Sequence, residues 1–259
     1  MSDLGKVTLT KTEFVANVVF DRPAARNAMT WKMYDELSVI CKDLQNDAKL
    51  RAVVFRGAGG KSFIAGSDIG QFMDFKTGED GVAYEAKMDM NIDNILDIPA
   101  PTLAVIEGWA VGGGLNIAGA CDLRIATHGT KLGSPIARTV GNCLSMKNYA
   151  HAVAAFGEAR TKKMIMLGEF LGAEEAEQCG FLLRAVESDA LQNEVDAIVE
   201  TLISNAPITL QTTKIALRRN RLSDPGDGAD LIKKVYASND FKLGVASFIN
   251  KQKPDWSGN

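Results

Sequence analysis

Three short apolar runs set the strongest limit on what this chain can fold into: residues 52–55, 103–106 and 123–126, the last interrupted only by Arg124. Each is four residues long and rich in Val, Ile, Leu, Ala and Phe, the pattern of a strand buried on both faces. Helical periods lie between them, so the first half predicts a layered, repeating β/α core. Two more strands, 7–10 and 15–20, precede the core and are joined by the polar turn Lys11-Thr12-Glu13. Thr30 is set to cap a helix over 31–46, on which Met33, Leu37, Ile40, Cys41 and Leu44 share one face.

From residue 144 the character changes to helix after helix. Periodicity predicts helices at 145–156, 159–167, 173–178, 190–204, 208–219 and 229–243, with Gly157, Gly168 and Gly180 as stops. The fold class is therefore α/β with a C-terminal helical region. A core over residues 1–200 is expected, followed by a helical region at 201–259 of a kind often used for subunit packing.

With 259 residues the chain can bury a large core without staples. Hydrophobic residues make up 46% and charged residues 24%, as in ordinary globular proteins. The net charge of −3 argues against a nucleic-acid partner. No apolar stretch is long enough to span a membrane, and residues 1–6 do not read as a signal peptide. The cysteines Cys41, Cys121, Cys143 and Cys179 have no metal or CxxC spacing, which fits free thiols in a reducing cytoplasm. With only His128 and His151, a His-rich metal site is excluded and no metal is expected.

Two turns combine glycine with a strand-to-helix transition. One is Ser62-Phe63-Ile64-Ala65-Gly66-Ser67-Asp68-Ile69. The other runs from Gly108 through Gly112-Gly113-Gly114-Leu115-Asn116 to Ala118. Glycine lets a ligand approach the backbone, and the first amides of a helix have no internal partners. Such turns can hold an anion or a developing oxyanion. Tight helix–strand packing explains the same glycines, and helix capping explains Asp68. No GxGxxG or Gly-x-Ser-x-Gly pattern occurs, which disfavours a dinucleotide site and a serine hydrolase elbow.

Together these turns resemble the crotonase superfamily, the enoyl-CoA hydratase/isomerase family. The resemblance starts at Phe20-Asp21-Arg22-Pro23-Ala24-Ala25-Arg26-Asn27-Ala28-Met29 and includes both glycine turns. It ends at Phe248-Ile249-Asn250-Lys251-Gln252-Lys253-Pro254, so it covers nearly the whole chain. It implies a crotonase-like ββα spiral core with a C-terminal helical trimerisation region. It also implies a homotrimer or homohexamer in the cytoplasm and a place in fatty acid metabolism. The substrate would be an acyl-CoA thioester, with coenzyme A as part of it and no separate cofactor.

The amides of Ala65 and Gly113 would hold the thioester oxygen. Ala25, Arg26, Ala28, Ala65, Gly66, Ser67, Asp68, Ile69, Gly112, Gly113 and Lys251 would line the CoA and substrate groove. Arg26, Lys251 and Lys253 are its phosphate partners, unless they are simply solvated.

The family's hydratases carry two glutamates, and this chain has neither. Asn116 stands at the first position, and Ile136 follows Gly133-Ser134-Pro135 at the second. No Asp or Glu occurs from 123 to 157, and Asp68 is the only acid expected close to either turn. Hydration needs a base for water and an acid for carbon, and Asn116 can only position a water. Arg138 could bind a second carboxylate on the acyl group or stabilise an enolate; an ion pair or subunit contact is the other reading. Tyr84, Met88 and Met90 could line an acyl pocket or form a core face, and Cys143 reads as a buried, unassisted thiol. Asn116 and Arg138 are thus the catalytic candidates beside the two amides. Ordinary crotonyl-CoA hydration is disfavoured. Isomerisation, decarboxylation and thioester hydrolysis stay open, as does an acyl-CoA-binding protein without catalysis.

Overall fold

A computed structural model describes residues 4–220, 238–240, 243, 247, 250, 252 and 254–259. The expected helix at 229–243 and the lysines Lys251 and Lys253 lie almost wholly outside the described residues.

Among the described residues the main sheet has six strands. β1 (Lys6–Lys11) and β2 (Val15–Asp21) form an antiparallel hairpin. β3 (Ala52–Gly57), β4 (Thr102–Ile106), β6 (Leu123–Thr127) and β9 (Arg184–Val186) then add in parallel, each beside the last. The three apolar runs are the centre of this sheet, and all five residues of β4 are buried. A second sheet of three short strands joins β5 (Trp109–Val111), β7 (Lys131–Gly133) and β8 (Leu171–Gly172). These strands are only two or three residues long, too short for any periodicity to show in the sequence.

The chain repeats one move. A long strand enters the main sheet, a short segment enters the second layer, and a helix returns. β4, β5 and α3 (Gly113–Ala120) make one such turn; β6, β7 and α4 (Met146–Met166) make the next. β3 begins the turn before. Its second-layer piece is the single residue Ile64, bridged to Ala110, and its helix is α2 (Gly78–Leu96). This is the ββα spiral with helices at its C-terminal side.

α1 (Trp31–Gln45) begins where Thr30 accepts a hydrogen bond from the Met33 amide. It buries Met33, Leu37, Cys41 and Leu44 in the larger core with Phe20, Phe55 and Phe63. α6 (Leu191–Ser204) covers the other face of the main sheet, with Leu191 and Val195 against Val54, Leu103 and Ile125. The predicted helices 145–156 and 159–167 are one segment, α4, bent where Gly157 takes φ 74° and ψ 160°. That positive φ is why glycine stands there. α5 (Ala173–Gln178) and α7 (Pro207–Asn220) match the remaining described helices.

Candidate active site

The two glycine turns meet at Ile64. Its amide donates to the Trp109 carbonyl at 3.1 Å, and its carbonyl accepts from the Val111 amide at 3.0 Å. Gly114 packs directly onto it. A Cβ added at Gly114 would lie 2.3 Å from the Ile64 carbonyl oxygen, so only glycine allows this approach.

The Arg22–Met29 segment holds the first turn. Asn27 is fully buried with φ 58°. Its amide group donates to the Ala58 and Ser62 carbonyls, and its carbonyl oxygen accepts from the Arg22 amide. Met29 then bridges Ser67: the Met29 amide donates to Gly66 O at 2.9 Å, and the Asp68 amide donates to Met29 O at 2.8 Å. In such a parallel bridge the Ser67 amide faces away from Met29.

This register corrects one expectation. The Ala65 amide donates to the Arg26 carbonyl at 3.1 Å and is already engaged, so it is not the free donor expected of it. The Ser67 amide, two residues on, makes no hydrogen bond among the described residues. Gly113 opens α3 and its amide is also without a partner there, as the first amides of a helix are. Gly112, with φ 52°, gives its own amide to the Gly133 carbonyl at 2.9 Å and so turns the chain into α3. Ser67 and Gly113 are neighbours: a Cβ on Gly113 would lie 3.5 Å from Ser67 Oγ.

Both residues line a cavity of about 210 Å³, with Ala65, Gly66, Ile69, Gly112, Asn116 and Ile136 also on its wall. Asp68 does not reach it. It caps the 3-10 turn Ile69–Asp74 by accepting from the Gly70 amide, and it pairs with Arg22 at 2.8 Å. Arg138 does not reach the cavity either. Its side chain is exposed and lies against Gly168 beyond α4, where a Cβ would come within 3.0 Å of it. The acyl-carboxylate role considered for Arg138 therefore has no geometric basis. Ala25 and Ala28 form the turn beside the cavity and do not line it; Ala28 N donates to Ala25 O. The Arg26 guanidinium stands 5.8 Å from the Trp109 ring, on the exposed side.

Sequence reasoning missed Glu85. It is the one carboxylate on the cavity wall, beside Tyr84 and Met88 on α2, whereas Met90 is exposed. Glu85 lies outside the segments that follow the glycine turns, on a helix that packs across them. A signal was present in the spacing. Glu85, Asp89, Asp93 and Asp97 fall at four-residue intervals, so they form one acidic stripe on α2. Glu85 accepts from the Ser145 amide at 2.9 Å, and Asp89 accepts from Ser145 Oγ and Asn148. Asp93 pairs with Lys147 and Arg218, and Asp97 pairs with Arg218. Burial pushes the Glu85 carboxyl above the usual carboxylate range; the Ser145 amide opposes this and the nearby Asp89 charge adds to it.

Past Glu85 the cavity opens into a wider chamber of about 900 Å³, which shares Phe72, Tyr84, Glu85, Val140 and Asn142 with the smaller one. Phe75, Val82 and Asp89 also line it, and among the described residues no Lys, Arg or His does. Cys143 is on this wall and exposed, contrary to the buried thiol expected of it. Among the described residues there is no cluster of three or more metal-ligating side chains, and no helix is long and apolar enough to cross a membrane.

The same architecture recurs in known proteins. The model of the enoyl-CoA hydratase/isomerase family matches residues 10–259. A short-chain-enoyl-CoA hydratase of Clostridium acetobutylicum is 29% identical over 97% of each chain. Human enoyl-CoA hydratase domain-containing protein 2, mitochondrial, is 30% identical over 94% of this chain and 86% of its own. The crystal structure of an enoyl-CoA hydratase/carnithine racemase from Magnetospirillum magneticum superposes with a TM-score of 0.92 at 27% identity. It covers 100% of this chain and 97% of that one. The chain is an acyl-CoA enzyme of the enoyl-CoA hydratase/isomerase family, within the crotonase superfamily.

Proposed function

We propose that this enzyme forms and reprotonates a thioester enolate, with the Ser67 and Gly113 amides holding the oxygen and Glu85 moving the proton. The observation that carries this is that, among the described residues, Glu85 is the sole carboxylate on the wall shared by those two amides. The Glu85 carboxylate takes a proton from a carbon conjugated with the thioester, and the electron pair passes into the carbon–carbon–oxygen system. The two amides, with the α3 terminus behind Gly113, stabilise the charge on oxygen. The same carboxyl then returns the proton to the α or γ carbon, so the double bond moves and no atom is gained or lost.

A raised pKa suits a group that must take and return a proton near neutrality. One carboxylate suffices for this shift, whereas hydration calls for a second group, and Asn116 cannot exchange a proton at that position. Decarboxylation of a dicarboxylic acyl group loses its support with Arg138 outside the cavity.

The acyl group would be uncharged and longer than crotonyl. The wide chamber is lined by Phe72, Phe75, Val82 and Val140, and its carboxylates Glu85 and Asp89 repel a second acid. Arg26 would meet the CoA phosphates at the exposed mouth, and Lys251 would be its partner by resemblance alone. By the same resemblance the chain would assemble as a trimer or a pair of trimers.

The test is a panel of saturated, 2-enoyl, 3-enoyl and malonyl-type CoA esters in deuterium oxide, followed by mass. Deuterium gain with no other change is the expected result. Gain of water would show hydration, loss of carbon dioxide decarboxylation, and loss of the acyl group hydrolysis. Binding of every ester without any change would leave a carrier without catalysis. Each of these four outcomes would overturn the proposal.

A further inference from the structure

Three hydroxyls meet behind the paired amides. Tyr34 Oη lies 2.8 Å from Ser67 Oγ, and Tyr84 Oη lies 2.9 Å from the same atom. Neither phenol has another hydrogen-bond partner among the described residues. The group abuts the second amide, because a Cβ on Gly113 would lie 2.6 Å from Tyr34 Oη. Ser67 thus brings both an amide and a hydroxyl to the same corner.

Counting protons decides what this group can do. Each hydroxyl has one proton to donate and can accept. Tyr34 is fully buried and does not line the cavity, and a buried phenol proton left without an acceptor is costly. Its proton therefore goes to Ser67 Oγ. The second bond takes one proton, from Ser67 or from Tyr84. If Tyr84 donates, the Ser67 proton is left over; if Ser67 donates, the Tyr84 proton is left over. Three protons serve two bonds, so one donor is always spare. It always belongs to Ser67 or Tyr84, the two members that line the cavity. Both phenols stay protonated: burial pushes Tyr84 up to about 12 and Tyr34 higher still. The triad is a neutral donor and not a base.

We propose that the Tyr34–Ser67–Tyr84 triad is a third, switchable hydrogen-bond donor to the thioester oxygen, acting with the Ser67 and Gly113 amides. It rests on the enolate reading of the site. In the resting site Ser67 donates to Tyr84. As charge develops on the thioester oxygen, the Ser67 hydroxyl turns to it and Tyr84 donates back to Ser67. No proton changes its oxygen; only the hydroxyl rotors turn. A hydrogen bond to an anion is stronger than one to a neutral carbonyl, so the switch favours the enolate over the bound ester.

The test compares the wild type with Ser67→Ala, Ser67→Thr, Tyr84→Phe and Tyr34→Phe. Two quantities are read: deuterium exchange at the α carbon of octanoyl-CoA and 3-octenoyl-CoA, and the affinity for each ester. Ser67→Ala should slow exchange roughly 10–100-fold, as for loss of one oxyanion donor, and shift affinity less than about threefold. Ser67→Thr should recover most of the rate. Each tyrosine variant should lose only about threefold, since two remaining protons and one bond still leave a donor spare. Exchange by Ser67→Ala at the wild-type rate would overturn the triad while leaving the enolate reading intact. So would a loss in Tyr34→Phe as large as that in Ser67→Ala, which would mark a packing role. Absence of exchange in a wild type that binds both esters would overturn the enolate reading and the triad with it.

Discussion

The two ends of the cavity are built from different materials. At the thioester end the paired amides are backbone groups, and their position follows from strand register and from glycines that touch backbone. At the acyl end the walls are side chains on α2 and on the loop before α4, held by carboxylates that reach across from one helix to another. The difference separates two tasks. On the proposed reading the first end sets the kind of intermediate, and the position of its amides cannot change without moving the fold. On the same reading the second end sets the proton transfer and the acyl group, and single side chains can change it.

That contrast can be broken first at Glu85. Glu85→Gln should lower kcat by about 10²–10⁴-fold, the range for losing a positioned acid–base group, with little change in acyl-CoA affinity. The wild-type kcat/KM should fall toward acid pH, with a midpoint above the usual carboxylate range, because a base must be ionised and Glu85 holds its proton longer than a free glutamate. The variant should lack that limb, as steady-state rates across pH would show. The stability effect has the opposite sign. As pH falls through the raised pKa the folded chain binds the proton before the unfolded chain does, so Glu85 favours the folded state there.

Gly114→Ala attacks the other end. Its Cβ would meet the Ile64 carbonyl oxygen at 2.3 Å. A cost of about 2–3 kcal/mol in denaturant unfolding is expected, with catalysis and binding lost together. Arg22→Ala removes the ion pair to Asp68 and the bond to the Ala28 carbonyl. It should cost about 1–2 kcal/mol in the same measurement and weaken acyl-CoA binding by loosening the first turn. Arg138→Ala is the smallest test. Turnover should change less than about twofold, as expected for a surface residue outside the cavity. A loss of ten-fold or more would return Arg138 to the site.

Much of the thioester end could be read in the sequence because it depends on short-range chemistry. Buried runs give strands, and glycines at strand–helix junctions mark where backbone meets backbone or ligand. The register within the first turn could not be read. Whether Ala65 or Ser67 presents a free amide depends on the bridge to Met29 from a segment 38 residues away. The acyl end was half legible. Tyr84 and Met88 read as pocket or core, and they serve both, while Asp68 takes the capping role the sequence allows. Glu85 was overlooked because its approach to Ser145 joins helices 60 residues apart. Arg138 was misplaced because closeness in sequence to Ile136 does not decide which way a loop turns. The short strands of the second sheet carry no periodic signal of their own.

The acidic stripe on α2 has one further consequence. Lys147 and Arg218 answer Asp93 and Asp97 with full charges, whereas Glu85 is held by a neutral backbone amide. Added electrolyte screens charge pairs at the surface far more than an amide contact. Raising ionic strength should therefore weaken the Lys147 and Arg218 pairs more than the Ser145 contact to Glu85, so that the charged anchorage of α2 responds to the surrounding medium more than the carboxylate proposed for chemistry.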